Sequence, residues 1–246
     1  GHMSSSRRTL PTRALAALIL SSVALAACAG APEAEESSAA ASDHYPVTIE
    51  NCGVEITYDA APRQAVTVHQ GATEVMLSLG LEDQLLATAG LDDAVADRWK
   101  DAFDAVPQLG DGDNAPSREN LLGKAADFVY ASYSSAFDED SLGDREELKT
   151  LGLDSYVSMS SCGEPGSRPP ASFDTIWGEV RDIADVFDAE EAAEDFVAEE
   201  EKRIEERARE LIAFMDIEPY AAMPAGPLPF PIRKRVELAR ALAAHP

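Results

Sequence analysis

Between Ala65 and Met159 the chain alternates short β-type apolar runs with stretches of helical periodicity, and this alternation restricts the fold more than any other feature. Ala65-Val66-Thr67-Val68 reads as a strand, and Thr73 to Leu79 as a short helix stopped by Gly80. Leu85 to Ala89 is the next strand, Ser117 to Ala125 a helix, and Asp127 to Ala131 the third strand. Asp144, with Glu147 three residues on, forms a capping box for a helix that ends at Leu151-Gly152, and Ser155 to Met159 is the fourth strand. Strands separated by helices make parallel β/α units, with the helices covering the sheet. Ahead of them, Tyr45 to Asp59 alternates and carries a turn signal at Asn51-Cys52-Gly53, the pattern of a β-hairpin.

After the alternating series, helices dominate. Ile176, Val180, Ile183, Ala184 and Phe187 follow helical spacing, and Asp188 with Glu191 is placed to cap a further helix. Its apolar stripe is Ala193, Phe196, Val197, Ile204, Ala208, Leu211 and Ile212, and Glu199–Arg203 and Glu205–Arg209 are spaced for ion pairs four residues apart. A helix so long, charged and thinly apolar suits a connector between lobes, a coiled-coil partner or a surface helix. The expected fold is α/β: a hairpin, a parallel sheet flanked by helices, and a long helix.

The N-terminus carries an export signal. Gly1 and His2 read as a vector-derived scar ahead of Met3. Arg7, Arg8 and Arg13 then precede an apolar run from Ala14 to Ala27 interrupted by Ser21 and Ser22. That run falls short of the ~20 apolar residues of a membrane span. It ends in Leu25-Ala26-Ala27-Cys28, small residues ahead of a cysteine, which reads as a lipobox: Cys28 is lipidated and becomes the mature N-terminus. An ordinary signal peptide with an incidental cysteine is the plainer alternative. Ser6-Arg7-Arg8 hints at twin-arginine export without deciding the route. Residues 1–28 are thus expected to be scar and signal. Residues 29–44, built mostly of Ala, Ser, Glu and Pro, are expected to be a disordered tether to the extracytoplasmic face of the cell membrane.

The formal net charge of -25 argues against nucleic acid as a partner and against electrostatic attraction to anionic lipid. A solvated acidic surface accounts for it more simply than calcium binding, since Asp111-Gly112-Asp113 does not continue into an EF-hand loop. With Cys28 assigned to lipid, Cys52 and Cys162 remain, and in an exported protein two such thiols most simply form a disulfide, two free thiols being the alternative. The sequence has no Gly-x-Ser-x-Gly elbow, no His-Glu-x-x-His and no convincing nucleophile with a base, so neither an enzyme nor a resident metal or cofactor is expected.

Particular runs within Tyr45 to Phe187 carry a family resemblance. They are Gln70-Gly71-Ala72-Thr73-Glu74-Val75 after a strand, Leu79-Gly80-Leu81, Glu119-Asn120-Leu121-Leu122, Ala126-Asp127-Phe128-Val129-Tyr130, and Leu148-Lys149-Thr150-Leu151-Gly152-Leu153. In this order and spacing they resemble the N-terminal lobe of ABC-importer solute-binding proteins for iron-siderophores, haem and vitamin B12, although Ala126 stands where that family usually has Pro. The resemblance implies two α/β lobes joined by one long helix, with ligand held between them. It makes 45–187 the first lobe and 188–212 the connector. It implies ABC permease subunits as partners and a ferric siderophore or similar metal chelate as ligand. Glu119 takes the place of the family's acidic permease-docking residue, although a carboxylate there also simply favours a helix N-terminus.

Ligand contacts are expected from loops at the carboxyl ends of the strands. These loops hold His69 and Gln70, then Asp92, Asp93 and Trp99, then Ser132, Tyr133 and Phe137, and finally Arg168. Aromatic rings suit bulky chelates and an arginine suits an anionic one, while His69 alone is not a metal site. The remaining stretch, 213–246, is too short for a second lobe of similar size, so that lobe is expected to be missing and the chain truncated. Arg235-Val236-Glu237-Leu238-Ala239-Arg240-Ala241-Leu242 in that tail resembles the helix after the signature motif of ABC ATPases. The signature motif itself is replaced by Pro229-Phe230-Pro231, and the chain has no phosphate loop, so ATP hydrolysis is not expected. The competing reading is a structural lipoprotein whose acidic helix binds a partner. A continuous exposed apolar stripe on that helix would favour it.

Overall fold

The computed structural model describes residues 43–91, 93–110, 116–163, 166, 168–170 and 172–243. The hairpin comes first, with β1 (Val47–Asn51) and β2 (Val54–Tyr58) pairing antiparallel. Cys52 and Gly53, at φ 53° and 83°, form its two-residue turn. Positive φ at both central residues is the turn geometry that matches the twist of the strands it joins.

Five strands follow: β3 (Ala65–Val68), β4 (Leu85–Ala89), β5 (Gln108–Leu109), β6 (Phe128–Ala131) and β7 (Asp154–Val157). They form one parallel sheet in the order β5-β4-β3-β6-β7. Between them run α1 (Gln70–Ser78), α2 (Lys100–Asp104), α3 (Arg118–Gly123) and α4 (Arg145–Thr150), and after them α5 (Phe173–Phe187), α6 (Glu190–Phe214) and α7 (Phe230–Ala243). β5 and α2 were not expected. At two and five residues they are too short to show a period.

The central strands β3, β4 and β6 are largely apolar because both sheet faces are covered. Phe128 and Tyr130 of β6 face a core shared with the hairpin, α1, α5 and α6, which includes Ile56, Met76, Ile183 and Val197. Val129 and Ala131 face the opposite core, with Leu121 of α3 and Leu148 of α4. The strand period of two thus builds three layers from a continuous apolar run.

The hairpin seals the β7 edge. The Asn51 side chain accepts from the Val157 N–H and donates to the Val157 carbonyl, both at 2.8 Å, as a neighbouring strand would. Arg145 is buried behind it and donates to the Asn51 carbonyl and Oδ1 and to the Ser155 carbonyl and Oγ. Burial lowers the pKa of this guanidinium, and its four bonds supply what water would otherwise provide. Cys52 and Cys162 are joined in a disulfide with Cα atoms 5.0 Å apart, which fastens the hairpin turn to the segment after β7.

Three local expectations are corrected. β7 stops at Val157 rather than Met159, because the Ser158 hydroxyl and the Met159 N–H both turn to the buried Glu179 carboxylate. Asp188 does not cap α6. It ends α5 in the left-handed conformation at φ 56°, and Ala189 takes the N-cap position without a side-chain bond. Arg203 pairs with Glu200 at 2.5 Å rather than with Glu199, because Glu200 is the buried carboxylate. The Glu205–Arg209 pair forms as expected, at 2.6 Å.

Candidate functional site

In the strand order β5-β4-β3-β6-β7 the chain winds outward from β3 through β4 to β5, then returns to β6 beside β3 and winds the other way. The carboxyl ends of β3 and β6 therefore flank the switch point of the sheet, where an open parallel sheet forms its crevice. His69 directly follows β3, and Tyr133 lies two residues beyond β6. The structure brings them together, with ring centroids 4.7 Å apart in an edge-to-face arrangement. Tyr133 is 48% exposed, a large aromatic left open at the crevice.

His69 sits there under backbone strain. Its φ of 72° and ψ of 162° fall in a region that is almost exclusively glycine's, at a cost of about 1–3 kcal/mol. Its N–H donates to the Ala89 carbonyl at 2.9 Å, and its carbonyl accepts from the Thr73 N–H and hydroxyl. The Thr73 hydroxyl also lies 2.8 Å from both the Thr67 and the Thr88 hydroxyls. A hydroxyl has one proton, so Thr73 donates to His69 while Thr67 and Thr88 donate to Thr73. This buried hub ties β3, β4 and α1 together beneath the strained residue and holds the ring at the sheet edge.

The other proposed contacts divide. The Ser132 hydroxyl accepts from the Ala72 N–H at 2.9 Å, closing the first turn of α1. A Cβ on Gly71 would stand 3.1 Å from that oxygen, so glycine permits the close approach. Gln70 donates to Glu74 and to the Ala94 carbonyl, and Glu74 also accepts from the Ala96 N–H. These two residues fix the segment after β4. Asp93 is exposed and accepts from the neighbouring Ala94 N–H. Asp92 lies outside the described residues. Arg168 is exposed and donates to the Gly163 carbonyl at 3.3 Å. Phe137 is turned inward instead, packing on the second core with the Arg145 guanidinium 5.6 Å from its ring.

Trp99 belongs to a relay of aromatic rings: Phe173 stacks on Trp177, Trp177 meets Phe196, and Phe196 meets Trp99, with Arg98 over the Trp99 ring at 4.0 Å. Phe173, at its α5 end, and Ile176 on the same helix are exposed, and neither was singled out from the sequence as a ligand contact. They precede the helical pattern or sit at its first position, and a period does not reveal which end of a helix stays open. Beneath them, Glu179 accepts hydrogen bonds from Tyr130, Ser158 and the Met159 N–H, and Tyr156 donates to Asp182, so α5 is bolted to the sheet by buried polar groups. Burial raises the Asp182 carboxyl above its ordinary pKa, and the Tyr156 bond only partly offsets this.

Glu119 lies in the first turn of α3 and is exposed, with Ser117 capping the helix. In the expected connector, α6, Ala193 and Val197 are buried and Phe196 and Ile204 pack against the lobe core, so the apolar stripe is not a continuous exposed surface. Leu211 and Ile212 line an apolar pocket of about 250 Å³ shared with α7 and the turn between the two helices. Among the described residues no helix is long and apolar enough to cross a membrane.

No family model and no curated protein matches the sequence. Solved structures do match the fold. A periplasmic binding protein from Veillonella parvula superposes with a TM-score of 0.57 at 22% identity, over 67% of this chain and 53% of that one. An ABC-type Fe3+-hydroxamate transport system structure from Saccharomonospora viridis gives 0.55 at 24% identity, over 68% and 57%. The siderophore binding protein BauB, bound to a complex of two acinetobactin molecules and ferric iron, gives 0.51 at 12% identity, over 71% and 56%. The chain spans about half the length of these structures and shares the fold of that half.

Proposed function

We propose that this chain is the substrate-gathering part of an extracytoplasmic solute-binding lipoprotein of an ABC importer, with a ferric siderophore as its cargo. The observation that carries this reading is the switch point. A strained His69 is held there by a dedicated threonine hub against an exposed Tyr133, at the crevice where a parallel sheet receives ligand. The reading is supported by the fold shared with binding proteins, two of them named for iron chelates. His69, Tyr133, Trp99, Asp92, Asp93 and Arg168 would line the ligand's near side, joined by Phe173 and Ile176. Gln70 and Ser132 would shape the loops rather than touch the cargo. Glu119, exposed at a helix start, would meet a basic patch on the permease. The domain would stand off the membrane on residues 29–42, anchored through lipid on Cys28, with His44 already packed on the lobe.

The test is a titration of the full chain with ferric hydroxamates, ferric catecholates, haem and cobalamin, followed by the fluorescence of Trp99 and Trp177. Saturable quenching by one ferric siderophore class at micromolar concentration is the expected result. No response to any ligand would overturn the reading. The described residues supply one wall of the crevice, and on their own they are expected to bind more weakly than a closed cleft.

A further inference from the structure

The formal charge of -25 is unevenly placed along the chain. α6 carries ten carboxylates against four cations. α7, packed on the end of α6, reverses the sign: Arg233, Lys234, Arg235 and Arg240 stand against one carboxylate, Glu237. Arg235 holds the helix in place, its Nη1 donating to the Met215 and Asp216 carbonyls at 3.0 and 3.2 Å. Lys234 reaches Glu237 at 2.7 Å on the surface. Arg233 and Arg240, seven residues apart, share one side of the helix and are exposed.

α7 also has two apolar sides. Val236 and Ala239 are partly buried and line the pocket shared with Leu211 and Ile212. The other side faces outward. Phe230, Lys234, Leu238 and Leu242 stand four residues apart and form one row, roughly 18 Å long. Phe230 is 62% exposed and Leu238 53%, and the Lys234 ammonium lies 5.6 Å from the Phe230 ring. At the end of the row Leu242 shares a groove with Arg207 and with Phe214 of α6, which is 75% exposed. The result is an open apolar ridge with cations along its flanks.

A surface that covers this ridge must be apolar within and anionic at its rim. We infer that α7, together with Phe214, is a membrane-surface helix that lies in the headgroup region of an anionic phospholipid bilayer. Phe230, Leu238 and Phe214 enter the acyl boundary, while Arg233, Lys234 and Arg240 extend to the phosphates. Contact in the plane of the membrane suits a helix of fourteen residues, too short to span. The net charge of -25 opposes attraction of the chain as a whole, but not this contact. At physiological salt, charges beyond about 8 Å are largely screened, so the carboxylates of the lobe act weakly while cations at the headgroups act in full. A second copy of the chain fits the ridge less well. Ridge against ridge sets cations beside cations, and ridge against lobe brings two strongly acidic chains together. The inference requires neither the lipid anchor nor the cargo, and it gives the lobe a fixed orientation over the membrane.

The experiment is site-resolved amide hydrogen exchange of the full chain, alone, with phosphatidylglycerol vesicles and with phosphatidylcholine vesicles. No siderophore is present, so the outcome is independent of the cargo proposal. The amides of α7 should exchange at least about tenfold more slowly on phosphatidylglycerol, but not on phosphatidylcholine, and 1 M salt should remove the effect. Arg7, Arg8 and Arg13 are present in every sample, so variants in α7 isolate the helix from the basic N-terminal segment. Arg233→Gln, Lys234→Gln and Arg240→Gln together should abolish the slowing, since each cation contributes about fivefold. Leu238→Ser should reduce it several-fold. All four side chains are exposed, so the variants should fold as the wild type does. Unchanged exchange on phosphatidylglycerol, equal slowing on phosphatidylcholine, or full slowing in the triple variant would overturn the inference. So would slowing that grows with protein concentration in the absence of vesicles, which would assign the ridge to a second copy.

Discussion

Two buried polar clusters flank the sheet, and they are built in opposite ways. At the β7 edge, Arg145 is a buried charge whose four hydrogen bonds are met by Asn51 and Ser155, and a disulfide closes over it. At the switch point, three uncharged threonine hydroxyls hold His69 in a conformation it would not choose. The first cluster spends its bonds on attaching a hairpin to an edge strand. The second holds a strained residue with its ring at the crevice. A region that only needs to be stable can satisfy every group without strain, whereas strain persists where the surroundings enforce it, and such places are usually sites.

Arg145→Met should strand several acceptors at roughly 1–3 kcal/mol each and cost about 4 kcal/mol in all, read from chemical denaturation. Replacing Cys52 and Cys162 together with serine should cost about 3 kcal/mol and free the hairpin, seen as faster amide exchange in β1 and β2. At the other cluster, Thr73→Val removes the hub and should cost about 2 kcal/mol. His69→Gly should do the reverse. Relief of strain outweighs glycine's entropic cost, and stability should rise by about 1 kcal/mol.

The smallest effect concerns pH. Burial alone would raise the Glu200 carboxyl, but hydrogen bonds from Arg203 and Arg98 outweigh it and hold the pKa below the usual glutamate range. A depressed folded pKa contributes stability above the unfolded value, roughly pH 4.3, and loses it as pH falls through the folded value. Glu200→Gln should therefore flatten the loss of stability in that acid window, measured as urea midpoints against pH. An acid arm as steep as that of the wild type would contradict the role given to the Arg98–Glu200–Arg203 cluster.

Much of this was legible in the sequence, for stated reasons. Strands such as Ala65–Val68 and Phe128–Ala131 show because a parallel sheet covered on both faces needs largely apolar runs, and the Asp144 cap shows because its side chain has one job. The hairpin was signalled by Asn51-Cys52-Gly53, but not that Asn51 would extend the sheet or that Arg145 would be buried behind it. Those pairings join residues far apart in the chain, and no local period encodes them. The loops at the crevice could be named from topology, and His69 and Tyr133 do meet there. Ser132, Gln70 and Phe137 stood in the same loops, yet two of them bind backbone or a neighbouring side chain and one packs inward. Loop membership fixes position but not direction, because direction follows from which neighbour offers a partner. The Asp188–Glu191 spacing matched a capping box and failed because α5 ends in a left-handed residue at that position. His44 was read as the end of the tether and packs on the lobe instead, because its partners lie on α5 and α6, a distance of fold rather than of sequence.

Under the proposed function, strain at His69 serves a ligand. The most direct measurement compares wild type and His69→Gly in two readouts on the same samples: thermal stability, and quenching of tryptophan fluorescence by the ferric siderophore that the wild type binds. The variant is expected to be more stable and to bind at least about tenfold more weakly. A variant that is more stable and binds equally well, or one that is less stable, would contradict it.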